Sequence, residues 1–147
     1  MRAVIFRDDD ILMVRLVNGE CKLPGGGIEE NESHGEALLR EVAEETGYPA
    51  CSIKQKIGIV TERYPDACIP DTYFEMVSHY YRCELGDAVQ GPLRLSPQEL
   101  EQNFAPIWMR LDSALRSNKE ALLRHAANRW IHRENFVLAH LQMAAAK

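Results

Sequence analysis

Three adjacent glycines, Gly25-Gly26-Gly27, lead into a stretch that carries seven glutamates between Glu29 and Glu45. No other segment restricts the chain as much. Ser33 and Glu36 stand in the S-x-x-E capping-box relation, which satisfies two orphan backbone donors at a helix start. Gly47 supplies the residue type that stops a helix in the left-handed conformation. The spacing predicts a helix over Ser33–Thr46. On a wheel of about 100° per residue with Glu41 at the origin, Glu44 falls at about 300° and Glu45 at about 40°. Leu38, Leu39, Val42, Ala43 and Thr46 occupy about 60° to 200° on the same wheel. One flank of this helix therefore packs in a core, and three carboxylates face a common space beside it.

Like charges three and four residues apart destabilise an isolated helix. Arg40 sits beside the stripe, four residues before Glu44, but one arginine cannot neutralise three carboxylates. A hard divalent cation can, because Mg²⁺ takes carboxylate oxygens together with substrate phosphates and waters. Glycines without Cβ let the preceding backbone approach an ion or a phosphate. A glutamate-rich helix by itself is ordinarily a solvated surface, so the weight rests on the whole constellation of fixed positions.

Gly26, Glu32, Arg40, Glu41, Val42, Glu44, Glu45, Gly47 and Tyr48 fit the pattern G-x5-E-x7-R-E-U-x-E-E-x-G-U, with U a bulky apolar residue. Seven of these positions demand one residue type, and their joint chance is on the order of 10⁻⁸ per start point. On these residues the chain resembles the Nudix hydrolase family. Tyr48 is a soft departure, since aliphatic residues are usual there. The resemblance implies a mixed β-sheet sandwiched between helices, an α/β/α sandwich with the box as loop–helix–loop. It implies hydrolysis of a diphosphate linkage in a nucleoside diphosphate derivative, with Mg²⁺ as the usual cofactor and Mn²⁺ as a substitute. Carried over by position, Glu41, Glu44 and Glu45 hold the metal or orient the attacking water. The backbone carbonyl of Gly25 or Gly26 is a further ligand. Arg40 pairs with a box glutamate, and Glu32 and Gly47 support the loop. In several family members the general base is a glutamate on the loop before the last strand, and in others it comes from the box. Here Glu99 and Glu101 precede Ile107-Trp108, and Glu99 is the preferred candidate.

The formal charge of −5 is concentrated. Residues 29–45 hold seven acids and one base, and the rest of the chain has 15 acids and 16 bases. That balance excludes broad attraction to nucleic acid polymers or anionic membranes and leaves room for a small polyanion that arrives with its metal. With 147 residues, 46% of them hydrophobic, the chain is expected to be one domain over residues 1–147 with its own core. Cys21, Cys51, Cys68 and Cys83 form no C-x-x-C pair and are expected as reduced thiols. With no signal-peptide pattern and no apolar span, a cytoplasmic protein is the expectation. The EF-hand and P-loop patterns are absent.

Along the chain, Ala3–Phe6 and Ile11–Leu16 read as a hairpin around Asp8-Asp9-Asp10. Cys21–Pro24 is a short strand candidate, Ile53–Arg63 and Thr72–Leu85 are longer ones, and Ile107–Leu111 is the last. Gly91-Pro92 and Ser96-Pro97 mark loops. From about Asp112 the chain is expected to be an extended helical C-terminus, clearest over Glu134–Ala146. Its Trp130, Phe136, Leu138, Leu141 and Met143 suit packing on the sheet or a two-fold homodimer contact. His125, His132 and His140 would stand about 10.5 and 12 Å apart on one straight helix, too far to share an ion. His79 reads as a hydrogen-bonded strand histidine, and Arg63, Tyr64, Phe74, Met76 and Trp108 as core, rim or nucleobase-pocket wall.

Substrate choice stays open at this stage. Oxidised nucleoside triphosphates are the first candidate. ADP-ribose, nucleotide sugars or a non-catalytic nucleotide-binding module are the alternatives, because the box addresses only the diphosphate and the metal.

Overall fold

A computed structural model describes residues 1–147. The N-terminal hairpin forms as β1 (Arg2–Arg7) and β2 (Asp10–Arg15), with Phe6 opposite Ile11. Asp8 turns the chain at φ 52°, a left-handed conformation that aspartate tolerates better than most residues. Ala3 to Ile5 and Ile11 to Val14 are essentially inaccessible to water. Their apolar runs lack alternation because both faces of these strands are covered, as in other doubly packed sheets.

The sheet runs β3 (Cys21–Lys22), β2, β1, β5 (Tyr73–Leu85), β4 (Cys51–Pro65), and β6 (Ala105–Arg110) joins β2 along its length. β1 and β5 are parallel and the other pairings antiparallel, so the sheet is mixed. Helix α1 (His34–Thr46) covers one face. Its Leu38 and Val42 pack on Ala3, Ile5, Leu12 and Cys83. Helices α3 (Leu111–Arg124) and α4 (Arg129–Ala145) cover the other, packing Leu111, Ala114, Leu115, Val137 and Leu138 on Val4, Ile11, Met13 and Leu23. Alternate residues of one strand thus serve opposite layers, which is the α/β/α arrangement.

β1 pairs only with Tyr80–Cys83 of β5, yet β4 and β5 stay paired out to Pro65 and Tyr73. The outer part of the pair is a two-stranded arm beyond the sheet. Register shifts between Ile53 and Gln55 and between Lys56 and Gly58 mark irregularities within the sheet just before the arm, where extra residues bend a strand.

Two local expectations need correction. Ser96-Pro97 opens a short helix, α2 (Pro97–Glu101), instead of a plain loop, because Ser96 and Glu99 repeat the capping box and Pro97 fits the first helical position. Leu111 begins α3 and does not end β6. Helix α3 ends before His125 and α4 begins at Arg129, so the three histidines do not share one straight helix. No helix is long and apolar enough to cross a membrane.

Candidate active site

The glycine loop and α1 bring the acidic side chains together. Ser33 Oγ accepts from the Glu36 amide at 3.2 Å, and Glu36 Oε2 accepts from the Ser33 amide at 2.8 Å. At the far end Gly47 adopts φ 76°, and its amide donates to Ala43 at 2.9 Å. A Cβ there would strike the Gly91 carbonyl, so both backbone conformation and space require glycine. Tyr48 lies buried in the α1-side core and accepts a 3.1 Å hydrogen bond from Trp108 Nε1, which gives the soft position of the box a packing role.

Arg40 sits at the centre of the loop. Its Nε donates to Glu32 at 2.6 Å, and its Nη2 donates to the other Glu32 oxygen at 3.0 Å and to the Gly27 carbonyl at 3.3 Å. Its Nη1 reaches Glu41 at 3.0 Å and Glu44 at 3.2 Å. This planar fork is a geometry that lysine cannot reproduce. The bond from Arg40 holds the Glu32 carboxyl below the usual carboxylate range.

Glu45 is fully buried although it is charged. Its oxygens accept from Lys22 Nζ at 2.7 Å and from the Gly25 amide at 2.9 Å. Lys22 also lies over the Phe104 ring at 4.3 Å, and burial pulls its ammonium pKa down. Lys22 escaped the sequence reading. The one signal for it is its place two residues before Pro24-Gly25, since a lone lysine in a strand is ordinarily solvated.

Carboxylate oxygens of Glu41, Glu45 and Glu99 all lie within 4.8 Å of one another. Desolvation raises the Glu41 pKa, and the charges of Glu45 and Glu99 push the same way. Glu99 Oε2 accepts from the Ser96 amide at 2.8 Å, so α2 aims this side chain through its own capping box. Glu101 on the same helix is exposed. Glu44 stays outside the trio on Arg40. A Cβ on Gly26 would come within 2.5 to 2.8 Å of the Glu41 carboxylate, so a side chain there would push this acid out of its present place. Three oxygen ligands at this spacing, one with its acid form favoured by burial and by its carboxylate neighbours, fit a hard divalent ion.

The other polar candidates fall elsewhere. His79 Nδ1 has no hydrogen-bond partner, contrary to the expected bonded histidine, and its ring meets His34 edge-on at 4.7 Å. Both line a cavity of about 360 Å³ with Arg2, Gly26, Gly27 and Ser78. Tyr64, Phe74 and Met76 line a smaller one of about 250 Å³ with Arg129 and Trp130. Arg63 pairs with Glu75, and Trp108 stacks under Arg7 at 4.0 Å, so neither lines that cavity. Phe136 and Met143 remain exposed on α4, whereas Leu138 is in the core.

The family model for the NUDIX domain matches residues 1–133. The chain therefore belongs to the NUDIX domain family, the family of the Nudix hydrolases. Its fold is similar to that of a NUDIX hydrolase from Nitrosomonas europaea, at 22% identity and TM-score 0.59, over 99% of this chain and 86% of that one. A C. elegans Ap4A hydrolase shares 16% identity at TM-score 0.56, over 99% and 96% of the two chains. A UDP-X diphosphatase shares 21% at TM-score 0.52 over 76% of this chain, and the match spans only 49% of that protein's length. No curated protein matches the sequence closely enough to count as a relative.

Proposed function

We propose that the protein hydrolyses a diphosphate linkage in a nucleoside diphosphate derivative with a divalent metal, Mg²⁺ by first choice and Mn²⁺ as substitute. The convergence of Glu41, Glu45 and Glu99 behind the bare backbone of Gly26 carries this reading. Glu41 and Glu45 would hold the ion, together with a carbonyl of Gly25 or Gly26, and Glu44 completes the acidic set beside them. When bound, the ion supplies the positive charge that admits a diphosphate among carboxylates and lowers the pKa of water.

The protein's own groups do the rest. Arg40 fixes the Glu41 rotamer and, through Glu32, the loop. Lys22 and the Gly25 amide fix Glu45 from the opposite side. Glu99 spends Oε2 on Ser96, leaving Oε1 to take a proton from the attacking water. Its half-buried position favours it over the exposed Glu101 as base.

Oxidised nucleoside triphosphates are the first substrates to try, with ADP-ribose and nucleotide sugars next. The deciding experiment incubates the protein with such a panel and Mg²⁺ and reads phosphate against pyrophosphate release. Turnover of at least one member that stops with chelator is expected. Binding without turnover across a broad panel would mark a nucleotide-binding module instead. The exposed Phe136 and Met143 suit a two-fold contact, which light scattering checks; a monomer at working concentration removes that contact.

A further inference from the structure

The strand that delivers the glycine loop is only two residues long, β3, and β2 covers just one of its edges. Residues 21 and 23 turn their backbone groups to the other edge, where no strand lies. Each of those groups has a side-chain partner. Asn118 of α3 works as a one-residue strand: its Oδ1 accepts from the Cys21 amide at 2.7 Å and its Nδ2 donates to the Cys21 carbonyl at 2.9 Å. Glu134 of α4 accepts from the Leu23 amide at 2.9 Å. Arg2 Nη1 donates to the Leu23 carbonyl at 3.2 Å and to the Gly25 carbonyl at 2.5 Å. Asn118 and Glu134 are both fully buried.

A buried carboxylate in a core layer is costly unless it is partnered. Glu134 meets Arg133 at 3.3 Å, and Arg133 reaches Glu62 on β4 at 2.6 Å and the Met76 sulfur on β5 at 3.2 Å. The pair therefore ties β3 to the middle of the β4–β5 arm. Directly after the clamped residues come Pro24, Gly25 and Gly26, and Lys22 between them holds Glu45.

We propose that Asn118 and Glu134 are positioning residues for the metal-holding loop: by closing the free edge of β3, the C-terminal helices set the Gly25–Gly26 backbone and Lys22 against Glu41 and Glu45. This rests on the metal reading above. It gives the last helices a part in the site, although Glu134 lies just beyond the family match at residue 133. Partners one step removed from a metal site typically change affinity 10–100-fold when removed.

The test is Mn²⁺ affinity, read from the free-ion paramagnetic signal without substrate, with thermal midpoints and kcat and KM measured alongside. Asn118→Ala and Glu134→Ala are expected to weaken Mn²⁺ binding by about tenfold or more. Glu134→Gln keeps an oxygen for the Leu23 amide and is expected to stay within about threefold of wild type. Leu138→Ala, a core truncation on α4 that removes packing but none of the hydrogen bonds to β3 or the loop, is expected to lower the thermal midpoint and leave Mn²⁺ affinity unchanged. If Glu134→Ala does not fold, Asn118→Ala and Glu134→Gln decide the matter. Wild-type affinity in Asn118→Ala and Glu134→Ala, or an equal loss in Leu138→Ala, overturns the proposal while leaving the metal reading intact. No Mn²⁺ binding by the wild type overturns the metal reading, and the proposal with it.

Discussion

The acidic loop and helix, Gly25 to Gly47, and the projecting β4–β5 arm are built to opposite standards. In the first, the functional groups are tied to fixed partners. Arg40 meets three glutamates, Glu45 is held by Lys22 and Gly25, and Gly26 and Gly47 stand where a methyl group would collide. On the arm, Ile59, Tyr73, Phe74, Met76 and Val77 are exposed, and beside the Arg133–Glu62 pair the contacts are surface ones such as Arg63 with Glu75 and Tyr64 on Phe74 at 4.8 Å. A group that must meet a reacting atom has to be held within a fraction of an ångström, whereas a wall that shapes substrate choice tolerates change. On the function proposed above, chemistry belongs to the first region, and the arm is the place to look for selectivity.

The two regions should respond differently to substitution. Glu99→Gln is expected to cost about a hundredfold in kcat and to remove the acidic limb of the pH–rate profile, as loss of a general base does. Glu101→Gln should leave both unchanged. Identical profiles for the two variants would return the base to the box and shrink the site to α1 and its loop.

A smaller effect concerns pH and the metal-free state. The Glu41 pKa is raised by burial first, then by Glu45 and Glu99. For a carboxyl raised on folding, the stabilising contribution is full below the unfolded pKa of about 4.3 and is lost as pH rises through the folded value. Metal-free protein should therefore lose stability from this group as pH climbs above the ordinary carboxylate range. Urea midpoints measured with chelator across that range should show the loss, and Glu41→Gln should flatten it. Glu32 has the opposite sign, since Arg40 lowers its pKa and its contribution fades as pH falls. A Glu41→Gln profile parallel to wild type would show that burial of this charge costs little.

The smallest change is expected on the arm. Tyr64→Ala removes one ring of a half-buried stack at the cavity wall and should shift stability by about 1 kcal/mol. Its signature should be a KM that changes by substrate while kcat holds. A large fall in kcat would erase the division between the two regions.

The loop and helix were legible in the sequence because local rules govern them. Helical period places Glu41 beside Glu45, a capping box starts the helix and Gly47 ends it. The second capping box, Ser96 to Glu99, is equally local, but Pro97 serves a turn as well as a first helical position, so the pattern alone points to a loop. Partners remote in sequence left no comparable trace. Glu134 meets Leu23 across 111 positions, and Asn118 meets Cys21 across 97. Each looks like an ordinary polar residue of an amphipathic helix until the fold seats it in the core. Lys22 and the trio membership of Glu99 became definite for the same reason, once β3 and α2 were placed. The apolar runs of β1 and β2 gave strands without saying which residue served which layer.

Turnover of the best substrate by Glu45→Gln, with Mg²⁺ and with the fold checked by circular dichroism, tests the central claim most directly. Glutamine keeps the shape but loses the charge that faces Lys22 and the proposed ion. A loss of roughly a hundredfold or more in rate with the fold retained is expected. Near-normal turnover by a folded Glu45→Gln protein would contradict the assignment of the carboxylate trio as the catalytic metal centre.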